Sequence, residues 1–226
     1  MSKSLRDPVV IHLLGDKGVG RSTFIRSLAG PDYYTTRRRL ASFSSSSSSG
    51  SDDDEDNLDD KDAAPGHVSL SMYTSYGVVT VHLHETPNGL FEGPLRSELY
   101  LDADAVLLMA AADMPDSLES VGQQWYHDLL RNIPECRRFL ILSKAHLQAD
   151  KAVIDRLARR YRRPVTLEAC QELATAKGFT TTLEWDKNML DDRFAFLKPV
   201  VEYVLHDRRH GRPSDKHQDT GKCVVL

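Results

Sequence analysis

The sequence predicts an α/β fold, an open and mostly parallel sheet flanked by helices. Three observations predict it. Val9 to Leu14 is an apolar run followed by a Gly-rich loop and a helical stretch from Ser22 to Leu28. Ala105 to Ala111 is a second, uninterrupted apolar run, the pattern of a strand buried on both faces. Beyond it, strand-like and helix-like stretches alternate toward the C-terminus, as βαβ units do.

The first element fixes the chemistry. Gly15-Asp16-Lys17-Gly18-Val19-Gly20-Arg21-Ser22 has the spacing G-x-x-x-x-G-K-S/T, with Arg21 in place of the lysine. A strand before it and a helix after it supply the context that a phosphate loop needs. Its glycines let backbone N–H groups converge on phosphate oxygens at a helix N-terminus, where the dipole favours anions. A Gly-rich turn with another role is the alternative.

The remaining elements follow in order. Val68 to Tyr73 and Val78 to His84 read as a hairpin around Ser75-Tyr76-Gly77. Ser117 to Arg131 reads as a helix with Leu118, Val121, Trp125, Leu129 and Leu130 on one face. Phe139 to Leu142 is a short strand, Ala152 to Arg160 and Leu167 to Lys177 are helices, and Phe179 to Leu183 is the last strand. Arg193 to Leu205 reads as the final helix, with a kink or break expected at Pro199. Ligands of such a sheet belong at the C-terminal ends of its strands.

Composition bounds the rest. The chain has 226 residues, enough for one α/β domain with appendages, and 40% are apolar, enough for a core. A net charge of −4 argues against a nucleic-acid partner. Three cysteines, Cys136, Cys170 and Cys223, make no disulfide framework and point to a reducing compartment. The first two read as structural. Met1 to Pro8 lacks a signal-peptide core, and no apolar run is long enough to span a bilayer. His82, His84, His127 and His146 show no metal-ligand spacing.

The expected organisation is an N-terminal tail at 1–7, a domain at 8–205, an insertion within it at about 37–66, and a C-terminal tail at 206–226. The insertion runs from Arg37-Arg38-Arg39 through the serines at 44–49 into an acidic stretch from Asp52 to Asp62, a composition that cannot bury a core. It is a solvated spacer or a regulated segment: Ser42 follows Arg39 by three residues, and Ser51 precedes an acidic triplet, so each suits a different class of kinase. The tail ends in Cys223-Val224-Val225-Leu226, a C-a-a-X box whose terminal leucine favours geranylgeranyl on Cys223. Arg208, Arg209, Arg212, Lys216 and Lys222, diluted by Asp207, Asp215 and Asp219, offer a weak second membrane signal, so the attachment expected is reversible.

From Tyr100 to Leu205 the sequence resembles the Rho family of Ras-superfamily small GTPases. Tyr-Leu-Asp-Ala-Asp-Ala at 100–105 resembles the family's Y-P-D-T-D-V, the run Pro115 to Val121 its S-P-x-S-F-E-N-V, and Gln124-Trp125-Tyr126 its K-W-Y. Asp150 to Pro164 looks like the extra helix that sets Rho proteins apart. The resemblance covers 8–30 and 68–226 and implies the small-GTPase version of the P-loop NTPase fold. It also implies a GTP-operated switch whose Mg²⁺ and γ-phosphate hold two loops in an effector-binding shape.

The resemblance assigns nucleotide contacts to Gly15, Lys17, Gly18, Val19, Gly20, Arg21, Ser22, Thr23 and Lys144, and Mg²⁺ contacts to Ser22 and, through water, Glu85. A plain strand-end carboxylate is the alternative for Glu85. Several positions depart from the family. Arg21 keeps the charge of the lysine but is longer and forked. Lys17 stands for a glycine and crowds the γ-phosphate. Thr35 and Thr36 are the only threonines near the first switch, as a metal ligand or as ordinary loop residues. Asn88 and Gly89 replace the glycine and glutamine of the second switch, and Gly89 has no group to orient water. Ser143-Lys144-Ala145-His146 replaces N/T-K-x-D, so the aspartate that accepts two hydrogen bonds from guanine is lost, at a cost of about 1.5–3 kcal/mol per bond. Asp186-Lys187-Asn188 stands for the S-A-K/L loop; Asp186 is a candidate substitute for the lost contact, and Trp185 either stacks on a base or packs under the last helix.

Two functions are therefore expected. One is a Rho-like GTP-binding switch with GTP or GDP and Mg²⁺, weak or absent hydrolysis, and no catalytic residue assigned. The other is a nucleotide-free pseudo-GTPase acting as a prenylated binding module. Loss of the guanine-selecting aspartate also leaves open a nucleotide other than GTP. The expected partners are effector and regulatory proteins of small GTPases and, through the lipid, the cytoplasmic face of membranes, with a cytosolic pool. A monomer is expected.

Overall fold

In a computed structural model of the chain, residues 4–29, 66–86, 100, 102–187 and 194–211 are described. Thr35, Thr36, Ser42, Ser51, Asn88, Gly89, Asn188 and Cys223, together with the insertion up to residue 65 and the tail from residue 212, lie outside them.

The chain runs β1 (Val9–Gly15), α1 (Arg21–Ala29), β2 (His67–Thr74), β3 (Gly77–Glu85) and β4 (Ala105–Ala111). It continues through α2 (Pro115–Ser120), a π-helical turn (Val121–Trp125), α3 (Tyr126–Asn132), β5 (Arg137–Ser143), a 3₁₀ turn (Ala145–Gln148), α4 (Lys151–Ala158), α5 (Leu167–Lys177), β6 (Thr181–Trp185) and α6 (Lys198–His210). The six strands form one sheet in the order β2-β3-β1-β4-β5-β6. Only the β2–β3 pair is antiparallel. The predicted α/β class is what the molecule adopts.

Alternation along the central strands fills two cores. Ile11, Leu13, Leu107, Met109, Phe139 and Ile141 face Phe24, Ile25 and Leu28 of α1 and Val200, Val201 and Val204 of α6. Leu14, Val106, Leu108, Leu140 and Leu142 face Val121, Trp125 and Leu129 and, on α5, Cys170 and Ala174. Both ends of α5 are locally specified: Thr166 accepts the Ala169 N–H at 3.2 Å, and Gly178 closes the C-terminus at φ 66°. Asp150 caps α4, accepting the N–H groups of Ala152 and Val153.

Three expectations need correction. Pro199 neither kinks nor breaks the final helix; it lies in the first turn of α6, where the missing N–H would have had no intrahelical partner. The predicted single helix from 117 to 131 is interrupted by the π turn, which changes the phase of its apolar face and leaves Leu130 exposed. α6 also continues to His210, so Arg208 and Arg209 are helical. The Arg208 side chain is paired with Asp104 at 2.8 Å, and Asp207 pairs with Arg137 at 2.6 Å.

Candidate functional site

The loop after β1 turns sharply into α1, and three of its residues need positive φ: Gly15 at 143°, Gly18 at 89° and Gly20 at 101°. A Cβ on Gly15 would lie 2.5 Å from the Met109 carbonyl oxygen, so only glycine lets the loop leave the sheet here. Around the loop, three side chains from other elements hold it. Ser143 Oγ, at the end of β5, donates to the Val19 carbonyl at 2.6 Å. The Trp125 indole Nε1 donates to Asp16 Oδ1 at 2.9 Å from the π turn. Met114 lies beneath Gly18, 3.4 Å from where a Cβ would stand. Lys17 and Gly18 are exposed, Val19 is buried, and Thr23 is half-buried on α1.

Arg21, the first residue of α1, is buried. Its Nη1 donates to the Thr86 carbonyl at the end of β3, and its Nε lies 3.8 Å from Glu85 Oε1. Burial pulls the Arg21 pKa down, against the opposing charges of Glu85 and Asp16. Ser22 Oγ donates to the same Glu85 oxygen at 3.0 Å. Thr86 is itself buried, and its hydroxyl has no hydrogen-bond partner among the described residues. The predicted metal pair, Ser22 and Glu85, is therefore brought together from positions 63 residues apart.

The second half of the site lies at the ends of β5 and β6. Lys144 takes a left-handed backbone conformation, φ 55°, and its Nζ bonds both carboxylate oxygens of Asp113, at 3.0 and 3.3 Å. His146, two residues on, is joined to Asp186 twice: its backbone N–H donates to Asp186 Oδ2 at 3.3 Å, and its ring Nδ1 meets the same oxygen. Asp186 is buried, whereas the His146 side chain is 41% exposed. Trp185 is buried in the core against Phe24, with ring centroids 5.2 Å apart and the rings near perpendicular. It packs below the phosphate loop rather than standing in the open where a base would stack.

Of the residues that sequence reasoning singled out, Ser22 and Glu85 are brought together beside the loop, and Lys144 lies at the end of β5. It named Ser143 only within the base-recognition motif and Trp125 only on a helix face and in a family motif, without their contacts to the loop, and it missed the Thr86 contact to Arg21 and Asp113 as the partner of Lys144. Each acts through a contact between residues distant in sequence. The one legible sign was the presence of polar groups, Ser143 and Asp113, at the C-terminal ends of apolar strands.

The Ser22 and Glu85 oxygens suit magnesium. Their 3.0 Å separation is that of the hydrogen bond between them, so Ser22 would meet the metal directly once that bond opens, with Glu85 reaching it through water. Both are hard oxygen donors, and the orphaned Thr86 hydroxyl leaves a further polar group for an incoming ligand or water. Arg21 beside Glu85 adds a positive charge that a metal there must share.

No family model matches the chain. Among curated proteins it is 29% identical over 147 residues to the Rho-related GTP-binding protein RhoD of Homo sapiens, covering 64% of this chain and 69% of that one. It is 28% identical over 133 residues to the GTP-binding protein rho1 of Schizosaccharomyces pombe, covering 58% and 66%. To the GTP-binding protein Rho3 of Schizophyllum commune it is 32% identical over 133 residues, covering 58% and 61%. The chain thus spans about two thirds of the length of the relatives it matches. With the sheet order and the phosphate loop, these relatives support a divergent member of the Rho family of small GTPases.

Proposed function

We propose that the protein is a Rho-type signalling protein that binds guanine nucleotide with Mg²⁺, hydrolyses it weakly or not at all, and presents its bound state to effectors at a membrane. The observation that carries this reading is the phosphate loop. Its three positive-φ glycines lie at the N-terminus of a nine-residue helix, with the Ser22–Glu85 pair beside it. Backbone N–H groups and the helix dipole bind phosphate whatever the side chains are. Ser22 and Glu85 would hold Mg²⁺, which when bound neutralises phosphate charge. Gly89 in the sequence offers no side chain to position water, and Lys17 crowds the approach to the terminal phosphate. Cys223 is the proposed lipid acceptor, with geranylgeranyl as the group; a Cys223→Ser variant that fractionates with membranes as wild type does would remove this part.

One observation favours a second reading, the nucleotide-free module. Arg21 is buried against the end of β3, with Nη1 on the Thr86 carbonyl, so the loop's cation already has protein partners. The two readings separate on nucleotide content. The protein is purified with Mg²⁺ and denatured, and the released nucleotide is quantified by ion-pair chromatography. Near-stoichiometric GTP or GDP supports the first. No released nucleotide, and no uptake of fluorescent GDP or GTP afterwards, establishes the second.

A further inference from the structure

The polar groups at the ends of β5 and β6 carry a specific consequence for base choice. The phosphate loop follows β1, and Ser143 Oγ ties it to the end of β5. A nucleotide with its phosphates at that loop extends its base along the strand ends toward the loops after β5 and β6, which carry Lys144, His146 and Asp186. Of these, Lys144 is paired with Asp113, and Asp186 is buried beneath the histidine. Of the three side chains, that of His146 is the most exposed, at 41% against 27% for Lys144.

We infer that His146, oriented by Asp186, is the base-reading residue of this chain, and that it offers a single hydrogen-bond acceptor, so base choice is relaxed from guanine to purines in general. The inference rests on the nucleotide-binding reading above. A carboxylate only accepts, so the bond from His146 Nδ1 to Asp186 requires the proton on Nδ1. In the neutral ring the other nitrogen, Nε2, then carries a lone pair. Guanine offers two donors on its pairing edge, N1–H and the N2 amino group. Hypoxanthine offers N1–H alone, and adenine offers its N6 amino group. Nε2 can satisfy one donor of each. The second donor of guanine has no counterpart on His146 and contributes no selectivity. Asp186 acts as a positioning residue: its second contact, from the His146 backbone N–H at 3.3 Å, fixes the loop as well as the ring.

The test measures affinities of fluorescent GDP, IDP and ADP for the full chain and for His146→Asp and Asp186→Ala variants. The His146 tautomer is read independently by ¹⁵N NMR of histidine-labelled protein. The expected wild-type result is three affinities within about threefold of one another, with His146 protonated on Nδ1. His146→Asp restores a two-bond acceptor and should prefer GDP over IDP by about tenfold or more, the order of one charge-assisted bond. Asp186→Ala should release the tautomer to Nε2–H and weaken all three nucleotides. A wild-type preference for GDP over IDP of tenfold or more overturns the inference while leaving nucleotide binding intact. A tautomer protonated on Nε2 in wild type overturns the assigned role of Asp186 and with it the inference. Failure of wild type and His146→Asp alike to bind any of the three overturns the nucleotide-binding reading itself and this inference with it.

Discussion

Arg208→Ala should destabilise the domain by about 3–5 kcal/mol, the usual cost of removing one partner of a buried ion pair. The side chain is 7% exposed and its carboxylate partner, Asp104, 11%. Four contacts end with it. Nη1 donates to the Ser4 carbonyl at 3.1 Å and the Asp7 carbonyl at 2.7 Å, and Nη2 to the Pro8 carbonyl at 2.9 Å and to Asp104 Oδ2 at 2.8 Å. Asp104 would keep the Val10 N–H, at 2.8 Å, but lose the Arg208 guanidinium. The guanidinium thus clamps the last helix to the entry of β1, the strand that delivers the phosphate loop, and to the start of β4. Urea denaturation should show a lower midpoint with an unchanged slope, and the melting temperature should fall by about 6–20 °C at roughly 2–4 °C per kcal/mol. Arg209→Ala is the control. That residue is exposed and stands over the Tyr76 ring at 5.9 Å, a contact contributing about 0.5–1 kcal/mol. A loss under 1 kcal/mol for Arg208→Ala, or equal losses for the two variants, would refute the clamp and return Arg208 to the membrane-facing tail that the sequence suggested.

Three further predictions rest on separate features. Gly15→Ala should cost about 3 kcal/mol or more, from left-handed strain and a Cβ placed 2.5 Å from the Met109 carbonyl, whereas Gly77→Ala, with open space around it, should show strain alone; chemical denaturation of both variants checks this. His67 and His84, whose rings lie 4.5 Å apart beside His12, His82 and Asp102, have pKa values pushed below the ordinary 6.5 by burial first and by neighbouring histidines second. Their depressed values favour the neutral folded form, so the stability they contribute is complete above about pH 6.5 and declines as pH falls from there through the folded values; melting curves from pH 7.5 to 5 should show the decline, and His67→Gln/His84→Gln should flatten it. The Cys170 thiol is pushed up to about 12, chiefly by burial, and should resist maleimide at pH 8 in the native protein and react on unfolding, as peptide mass spectrometry would show.

The fold was legible because hydrophobic periodicity is a local property. Ala105–Ala111 is buried at every position, as an unbroken apolar run predicts, and the β2–β3 hairpin follows from alternation around Ser75-Tyr76. The π turn was not legible, because one extra residue per turn leaves the same residue types in the same order and shows only as Leu130 facing outward. Pro199 misled because a proline inside an apolar run reads as a break when the helix start is placed too early. Trp185 went to the core because Phe24 offers an aromatic edge there, a contact spanning α1 and β6. The site contacts that mattered most, Arg21 to Thr86 and Trp125 to Asp16, join positions 65 and 109 residues apart, and no local pattern marks them.

The site's parts divide by how they are made. The phosphate cradle is built from backbone, and it needs only a strand, glycines able to take positive φ, and a helix start; all three are in place. Water positioning and base choice, as the resemblance implies them, fall to side chains, and at each such position the sequence departs from the family: Gly89 for the glutamine, His146 for the aspartate. A charge-assisted hydrogen bond contributes about 1.5–3 kcal/mol, so several loop N–H groups on phosphate outweigh the one or two bonds lost at the base. Affinity for a nucleoside diphosphate should therefore survive these changes better than selectivity does, and selectivity better than turnover. Arg21 decides how far that ranking holds. If phosphate draws the guanidinium from the Thr86 carbonyl, the bound and empty states differ at the end of β3. A buried side chain there would then report occupancy without any need for hydrolysis.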